Sequence, residues 1–461
     1  MKMKKYFSAF TVFSMIVSSV FSYSLETLKE SLFVNNPEIR GAEEEYKRSV
    51  MDYKDALAGY GPKIDLMLSG TYMVNPPVGS LSVSLDDIFS SVEWPNGIKP
   101  ARTGQYVKVF DGMENALYSF QLSLEQPVFT WGKVHDASVL YKKVSEIQEI
   151  KFQNTRKKLE TELETRITSL WFLNKISKVL LEEQSYADEM VSFSEDAEKS
   201  GMLLHQDVVE AKIKAKELEI ALQGVNEQIT NQMIEVRRIT GISSVEFEEI
   251  DFEYDDSVFE ELLKEDRNVL LEKALSEKSD SVRMVSKARD VSDYALKISK
   301  NSVYWKPDIG LQMSMGYGGS RLPLLETNWL RKDDYSLNLS LGVKTTVWDG
   351  GKKLRDVSRS LSNAESAKIN EDSVKSTLRK TISEQWNTYD ISEIKIEYQT
   401  LKMETEEGKI KQQEVLFSNG YGSKTDLLSA KMDLCNAEIE KLQNELSRAC
   451  ALMTVKFLVY N

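Results

Sequence analysis

The chain has 461 residues, 41% of them apolar and 28% charged, a balance that suits a folded protein and argues against disorder. Its net charge of −13 makes nucleic acid an improbable partner, because phosphate binding needs concentrated Lys and Arg. The two cysteines, Cys435 and Cys450, fall in one expected helix. At ~1.5 Å per residue they stand ~22 Å apart, too far for a disulfide.

In chain order, residues 1–5 hold three lysines and residues 6–20 are uncharged and apolar. Residues 1–22 are therefore expected to be a secretory signal peptide, removed from the mature chain. No cysteine follows it, so no lipid anchor is expected. No later run approaches the ~20 apolar residues of a transmembrane helix, so a spanning region has to be a closed β-barrel.

A first repeat is expected over 23–240. It opens with a helix, then a strand at about 62–74 that alternates Ile64, Leu66, Leu68 and Tyr72 with Lys63, Asp65, Ser69 and Thr71. A long exposed loop, 75–115, rich in Gly, Pro, Ser and Asp, leads to a second strand at about 117–128. There Tyr118, Phe120, Leu122 and Leu124 alternate with Ser119, Gln121, Ser123 and Glu125. Residues 133–200 contain neither Gly nor Pro and predict one very long helix, ~100 Å if straight. A return helix over 205–240 carries an apolar stripe stepping by three and four. Between the repeats, 241–270 reads as an acidic linker element. From Glu246 to Asp266 there are eleven acids and one lysine. The D-x-D-x-D-G spacing of a calcium loop is missing there, and Phe247, Ile250 and Phe252 suggest a small packed element.

The second repeat, 271–461, is expected to copy the first. It has a helix over 271–303, strands at about 307–318 and 335–348, a long helix over 352–418 and a return helix over 424–456. Val128-Phe129-Thr130-Trp131-Gly132-Lys133 matches Val347-Trp348-Asp349-Gly350-Gly351-Lys352, and Asp207-Val208-Val209-Glu210-Ala211-Lys212 matches Asp426-Leu427-Leu428-Ser429-Ala430-Lys431. Both pairs share one offset, which points to tandem duplication. The strand pattern alone fits a soluble sheet with one wet face as well as a barrel. The seam alone fits a bundle core as well as a coiled coil.

Signal peptide, duplicated unit, paired strands and long helices together resemble the TolC family of outer-membrane efflux proteins. The motifs that carry the resemblance are Pro62 and Pro307 opening the strands, Asp349-Gly350-Gly351 at the strand–helix junction, and Gly420 through Ala430 at the helix turn. The resemblance implies an α+β membrane protein. Three protomers would each give four strands to one twelve-stranded barrel, which continues into a long periplasmic α-helical barrel. It implies a homotrimeric exit channel in the outer membrane, docked on a periplasmic adaptor and an inner-membrane transporter, that passively conducts what an efflux or type I secretion system delivers. It further implies an acidic ring at Asp426, and a helix-turn tip formed by Gly201, Asp207, Phe417, Gly420 and Gly422. Asp207 and Asp426 each follow a glycine break and read equally well as helix N-caps, a role that for Asp426 is compatible with the ring. Ser429 stands where some members place a second acid. Phe417 stands at a usual tyrosine position and Gly422 at an arginine of some relatives, so the bonds closing the tip are expected to differ. Gly132 is the only glycine at the first junction, so that turn is expected to differ in shape from Gly350-Gly351.

No catalytic constellation is found. His135 and His205 are the only histidines and lack metal-ligand spacing. No nucleophile elbow, zinc-protease or phosphate-loop motif occurs. The expectation is a channel without catalytic residues, metal or cofactor.

Overall fold

The structure, a computed structural model, describes residues 22–97, 101–320 and 335–460. Nearly all of the expected signal peptide, 1–22, and the 321–334 part of the second loop lie outside the described residues. The elements in order are β1 (Tyr23–Ser24), α1 (Leu25–Asn35), α2 (Pro37–Ala58), β2 (Lys63–Tyr72), β3 (Leu81–Ser84), α3 (Leu85–Ser91), β4 (Tyr106–Phe110), β5 (Ala116–Phe129), α4 (Lys133–Lys199) and α5 (His205–Thr240). They continue with β6 (Ile250–Asp251), α6 (Glu260–Lys264), α7 (Arg267–Leu275), α8 (Asp280–Asn301), β7 (Asp308–Gly319), β8 (Tyr335–Lys344), α9 (Lys352–Ser418) and α10 (Lys424–Tyr460). The chain divides into two compact units. One comprises Val50–Lys142 and Asp290–Glu365, and the other comprises the rest.

The first unit is built on a four-stranded antiparallel sheet of order β2-β5-β7-β8. Its register aligns the period-2 patterns of all four strands. Leu66, Leu122, Met315 and Leu337 form one cross-strand row, and Ile64, Leu124, Met313 and Leu339 the next. The opposite face carries Asp65, Ser123, Ser314 and Asn338 in one row and Lys63, Glu125, Gln312 and Ser340 in another. The apolar face is bare over most of its length: Ile64, Leu66, Leu68, Leu337, Leu339 and Leu341 are each 57–70% exposed, and Tyr317 near the far end of β7 is buried. The outer edges of β2 and β8 have no strand partner among the described residues. Pro127, which lacks an N–H for the ladder, sits where the β5–β7 register shifts.

Four expected elements differ. The helix that opens the first repeat is two helices, α1 and α2, parted at Asn36, whose extended backbone precedes Pro37. Residues 75–115 are not a plain loop: β3 and β4 pair as an antiparallel ribbon, and α3 follows β3. Asp86 ties this excursion together by accepting from the N–H groups of Thr103 (2.7 Å) and Gly104 (3.0 Å). The last strand ends at Lys344 rather than 348, since the Thr345 hydroxyl turns to donate to the carbonyl of Tyr304 at 2.8 Å. The expected helix over 271–303 is two helices, α7 and α8, broken at 276–279. Ser276 and Ser279 bond locally there, and Asp280, 4% exposed, is held by Lys157 (3.1 Å) and Arg283 (2.6 Å).

In the other unit, three apolar clusters form the core. Leu28, Leu32 and Ile39 pack with Leu159, Leu163, Ile167 and Leu170 of α4 and with Val236 and Ile239 of α5. Phe259, Leu262 and Leu270 pack on Ile382 and Trp386 of α9 and on Leu452 and Val455 of α10. Phe172, Ile176 and Leu180 of α4 meet Cys435, Ile439 and Leu442 of α10, with Leu218 and Leu222 of α5 alongside. The acidic linker is anchored in two of these clusters: Phe247, Ile250 and Phe252 lie against the first, and Phe259 and Leu262 within the second. Arg448 of α10 bridges Glu393 (3.0 Å) and Asp256. Both cysteines are free, and burial pushes the Cys435 thiol up to about 12.

Glu183 of α4 is 1% exposed, and one of its oxygens accepts from the side-chain amide of Asn436 at 2.7 Å. The other oxygen has no hydrogen-bond partner among the described residues. Burial raises its pKa, against the Asn436 bond and the charge of Lys214. A carboxyl with a raised folded pKa binds its proton more tightly folded than unfolded, so its contribution to stability falls as pH rises from about 4.5 through the folded value. Glu183→Gln should therefore be more stable than the parent at neutral pH. The difference should close as pH is lowered into that window, read as thermal midpoints across a pH series.

Candidate functional site

Each long helix ends at a glycine in the left-handed conformation, Gly201 at φ +72° and Gly420 at φ +79°. The two ends have the same bonding. The N–H groups of Gly201 and Met202 donate to Glu198 and Ala197, and those of Gly420 and Tyr421 to Phe417 and Leu416, all at 2.8–3.0 Å. These are Schellman turns, in which glycine at C′ avoids the Cβ clash of the left-handed region. In the second turn, Gly422 also donates to Leu416 O at 3.1 Å. A Cβ on Gly422 would lie 2.8 Å from the Phe417 nitrogen, so any side chain there forces the turn to move.

The matched acids beyond these turns do different things. The Asp207 carboxylate reaches back to the Leu204 N–H at 3.0 Å and caps α5. In α10, the Ser423 hydroxyl accepts from the Thr425 N–H at 3.2 Å. That leaves Asp426 exposed in the first turn, with no hydrogen bond or ion pair among the described residues. Phe417 is half exposed and carries no hydroxyl, and Asp207 is engaged with its own helix instead. The cross-helix contacts the sequence did not reveal are salt bridges: Lys424 of α10 to Glu189 of α4 (2.7 Å), and Lys212 of α5 to Glu195 of α4 (2.7 Å). The bond from Lys212 holds the Glu195 carboxyl below its ordinary range. Long-range charge pairs of this kind leave no periodic signal in a sequence.

The strand–helix junctions correct the expectation of different shapes. Gly350 and Gly351 have φ of +66° and +79°, and Trp131 and Gly132 have +55° and +80°. The first junction makes the same turn with a tryptophan in the left-handed region, at a cost of ~1–2 kcal/mol. The Trp131 indole N–H donates to Pro307 O at 2.8 Å, and its ring meets Phe129 edge-on at 5.1 Å, which holds the residue in place. At the second junction, Asp349 caps α9 by accepting from the N–H groups of Lys352 (2.9 Å) and Lys353 (3.1 Å), and it also accepts from the Tyr304 hydroxyl. Desolvation opposes ionisation of Asp349, but these bonds keep its carboxyl below the usual range.

His135 bonds Tyr60 (3.2 Å) and His205 bonds Glu198 (2.8 Å). Among the described residues no three His, Cys, Asp or Glu are grouped to hold a metal, and no helix is long and apolar enough to cross a membrane.

No protein-family model matches the sequence, and no curated protein matches it significantly. Solved structures do match. The chain resembles VceC, an outer membrane protein of Vibrio cholerae, at 14% identity and TM-score 0.72, over 95% of this chain and 97% of that one. It resembles the CmeC outer membrane channel of Campylobacter jejuni at 13% identity and TM-score 0.72, over 95% and 85%. It resembles the outer-membrane channel OprN at 14% identity and TM-score 0.74, over 95% and 89%. The chain has the TolC-like outer-membrane channel fold. Identity this low carries the backbone and not the side chains. The helix turns and junctions above are therefore read from this chain's own bonds within the TolC-like fold.

Gly422→Ala should cost ~1–3 kcal/mol through the backbone clash at Phe417. Faster amide exchange at residues 416–424, with unchanged protection in the middle of α10, is the expected readout.

Proposed function

We propose that the chain is one protomer of a homotrimeric outer-membrane exit channel, the passive outlet of an efflux or type I secretion system, and that it performs no catalysis. The observation that carries this reading is the bare apolar sheet face together with two unpaired sheet edges. In water an uncovered apolar face of this size is a liability, whereas in lipid it is the required exterior. Unpaired backbone cannot remain in hydrocarbon, so the edges of β2 and β8 need strands from other copies. Three copies supply the twelve strands of a closed barrel, with the Lys63, Asp65, Ser123 and Asn338 face lining water.

The helices support the same assembly. Within the chain α4 packs against both α5 and α10. That leaves exposed stripes on α5 (Val209, Ile213, Ile220) and α9 (Ile391, Ile394, Tyr398, Leu401). Their spacing by three, four and seven is that of helix seams, which suits α5 of one copy against α9 of the next. The equal turns at Gly201 and Gly420 support an origin by duplication. The helix-turn end would be the entrance that meets a periplasmic adaptor and, through it, an inner-membrane transporter. The sequence leader would direct export to the periplasm.

At that entrance Asp426, free of any cap, would form a ring of three carboxylates under three-fold symmetry and attract cations. Purified protein in a planar bilayer should give single-channel conductance that divalent cations block from the helix side, and Asp426→Ala should weaken the block. A chain that stays monomeric and soluble without detergent would refute the channel. Unchanged block in the variant would refute the ring alone.

A further inference from the structure

The strand–helix junction carries a concentration of positive charge that the channel reading does not use. Lys297, Lys300, Lys306, Lys352, Lys353 and Arg355 fall in segments 297–306 and 352–355, which contain no carboxylate, in a chain whose acids outnumber its bases by 72 to 59. None of the six side chains has a carboxylate partner among the described residues. Lys306 donates to the Asn301 side chain (2.6 Å), Arg355 to Gly350 O (2.8 Å), and Lys353 stands 5.3 Å from the centre of the Tyr304 ring. Many cations elsewhere in the chain do hold acids, as Lys29 does with Glu164 at 2.6 Å.

These residues share one locality. The Ser299 hydroxyl of α8 bonds the Ser360 hydroxyl of α9 at 2.7 Å, Thr345 bonds Tyr304, and the Lys306 ammonium lies 5.8 Å from the centre of the Trp131 ring. Between α8 and α9 is a cleft of about 320 Å³ lined by Ser299, Ser302, Ser360 and Lys353. The one acid lining it, Asp356, is paired with Arg359 at 2.8 Å. Trp305 and Trp348 flank the junction at 69% and 81% exposure. The bare apolar face of the sheet begins directly after it, at Ile309 on β7 and Val343 on β8.

Exposed indoles beside unpaired ammonium groups, at the border of an apolar surface, match the chemistry of a bilayer interface. There the rings sit at headgroup depth and each cation is attracted to anionic lipid. We propose that this junction binds the phosphate-bearing headgroups of anionic phospholipids in the leaflet that the sheet meets on its helix side. The inference rests on the outer-membrane reading and adds a lipid preference to it. The cations and the serine hydroxyls of the cleft would meet the phosphate oxygens, and the tryptophans would lie at the ester level.

The tryptophans provide the measurement. The full chain is placed in vesicles of brominated phosphatidylglycerol or brominated phosphatidylcholine, and quenching of its tryptophan emission gives the relative affinity for the two lipids. A preference of roughly fivefold for phosphatidylglycerol is expected at low salt, fading at high salt. K297Q/K300Q/K352Q/K353Q should bring the ratio close to one, while K395Q/K411Q, distant on α9, should leave it unchanged. Equal quenching by both lipids in the unsubstituted protein overturns the inference while the channel stands. So does a preference that survives the fourfold substitution. Loss of preference in phosphate buffer, but not in chloride of equal ionic strength, assigns the site to free phosphate and overturns the lipid assignment. Failure to enter either vesicle overturns both this inference and the outer-membrane reading.

Discussion

An apolar β-surface that the described residues leave largely uncovered is the constraint from which the rest of this molecule follows. The register places leucine, isoleucine, methionine and phenylalanine on one side of four strands and charged or hydroxylated residues on the other. The apolar clusters among the described residues are all formed elsewhere, by helices and the acidic linker. The chain therefore contains two kinds of apolar surface, one satisfied by its own packing and one left for another medium. Two sheet edges and two helix stripes without partners among the described residues repeat that incompleteness along the chain, and lateral contact between copies, as proposed above, would satisfy both.

Much of this is legible in the residues because it depends on period. Strict alternation marks β2, β5, β7 and β8, and long runs without Pro, free of Gly in α4 and holding only Gly408 in α9, mark these two 67-residue helices. The glycines at 201 and 420 mark turns because only glycine takes the left-handed position without strain. What escaped the sequence depends on local bonds or distant partners. The ribbon inside 75–115 is held by Asp86 accepting from backbone seventeen and eighteen residues away. The break before α8 is set by Asp280, whose buried carboxylate answers to Lys157 on another helix. Trp131 hides its left-handed turn because its own sequence predicts against it, and Pro307, far along the chain, supplies the bond that keeps it there.

The candidate tip was partly legible. Matching sequence placed Asp207 and Asp426 at equivalent positions, yet one is consumed as a helix cap and the other is not. The difference lies three residues upstream: Leu204 offers its helix no side-chain acceptor, and Ser423 does. Equivalent acids thus acquire unequal freedom from their neighbours, which alignment of the acids alone does not convey. Gly422 follows the same logic, its size set by the backbone of Phe417 passing within contact.

The short parallel pair between β1 and β6 has a consequence in time. Tyr23 pairs with Ile250, and the Asn36 side chain donates to the carbonyl of Ile239, 203 residues further on. Contacts of such separation close only after the intervening chain has emerged, at the entropic expense of a very long loop. The first described strand of the protein is thus among the last elements that can dock. If the chain is exported as proposed, its leading end stays undocked until its middle has arrived.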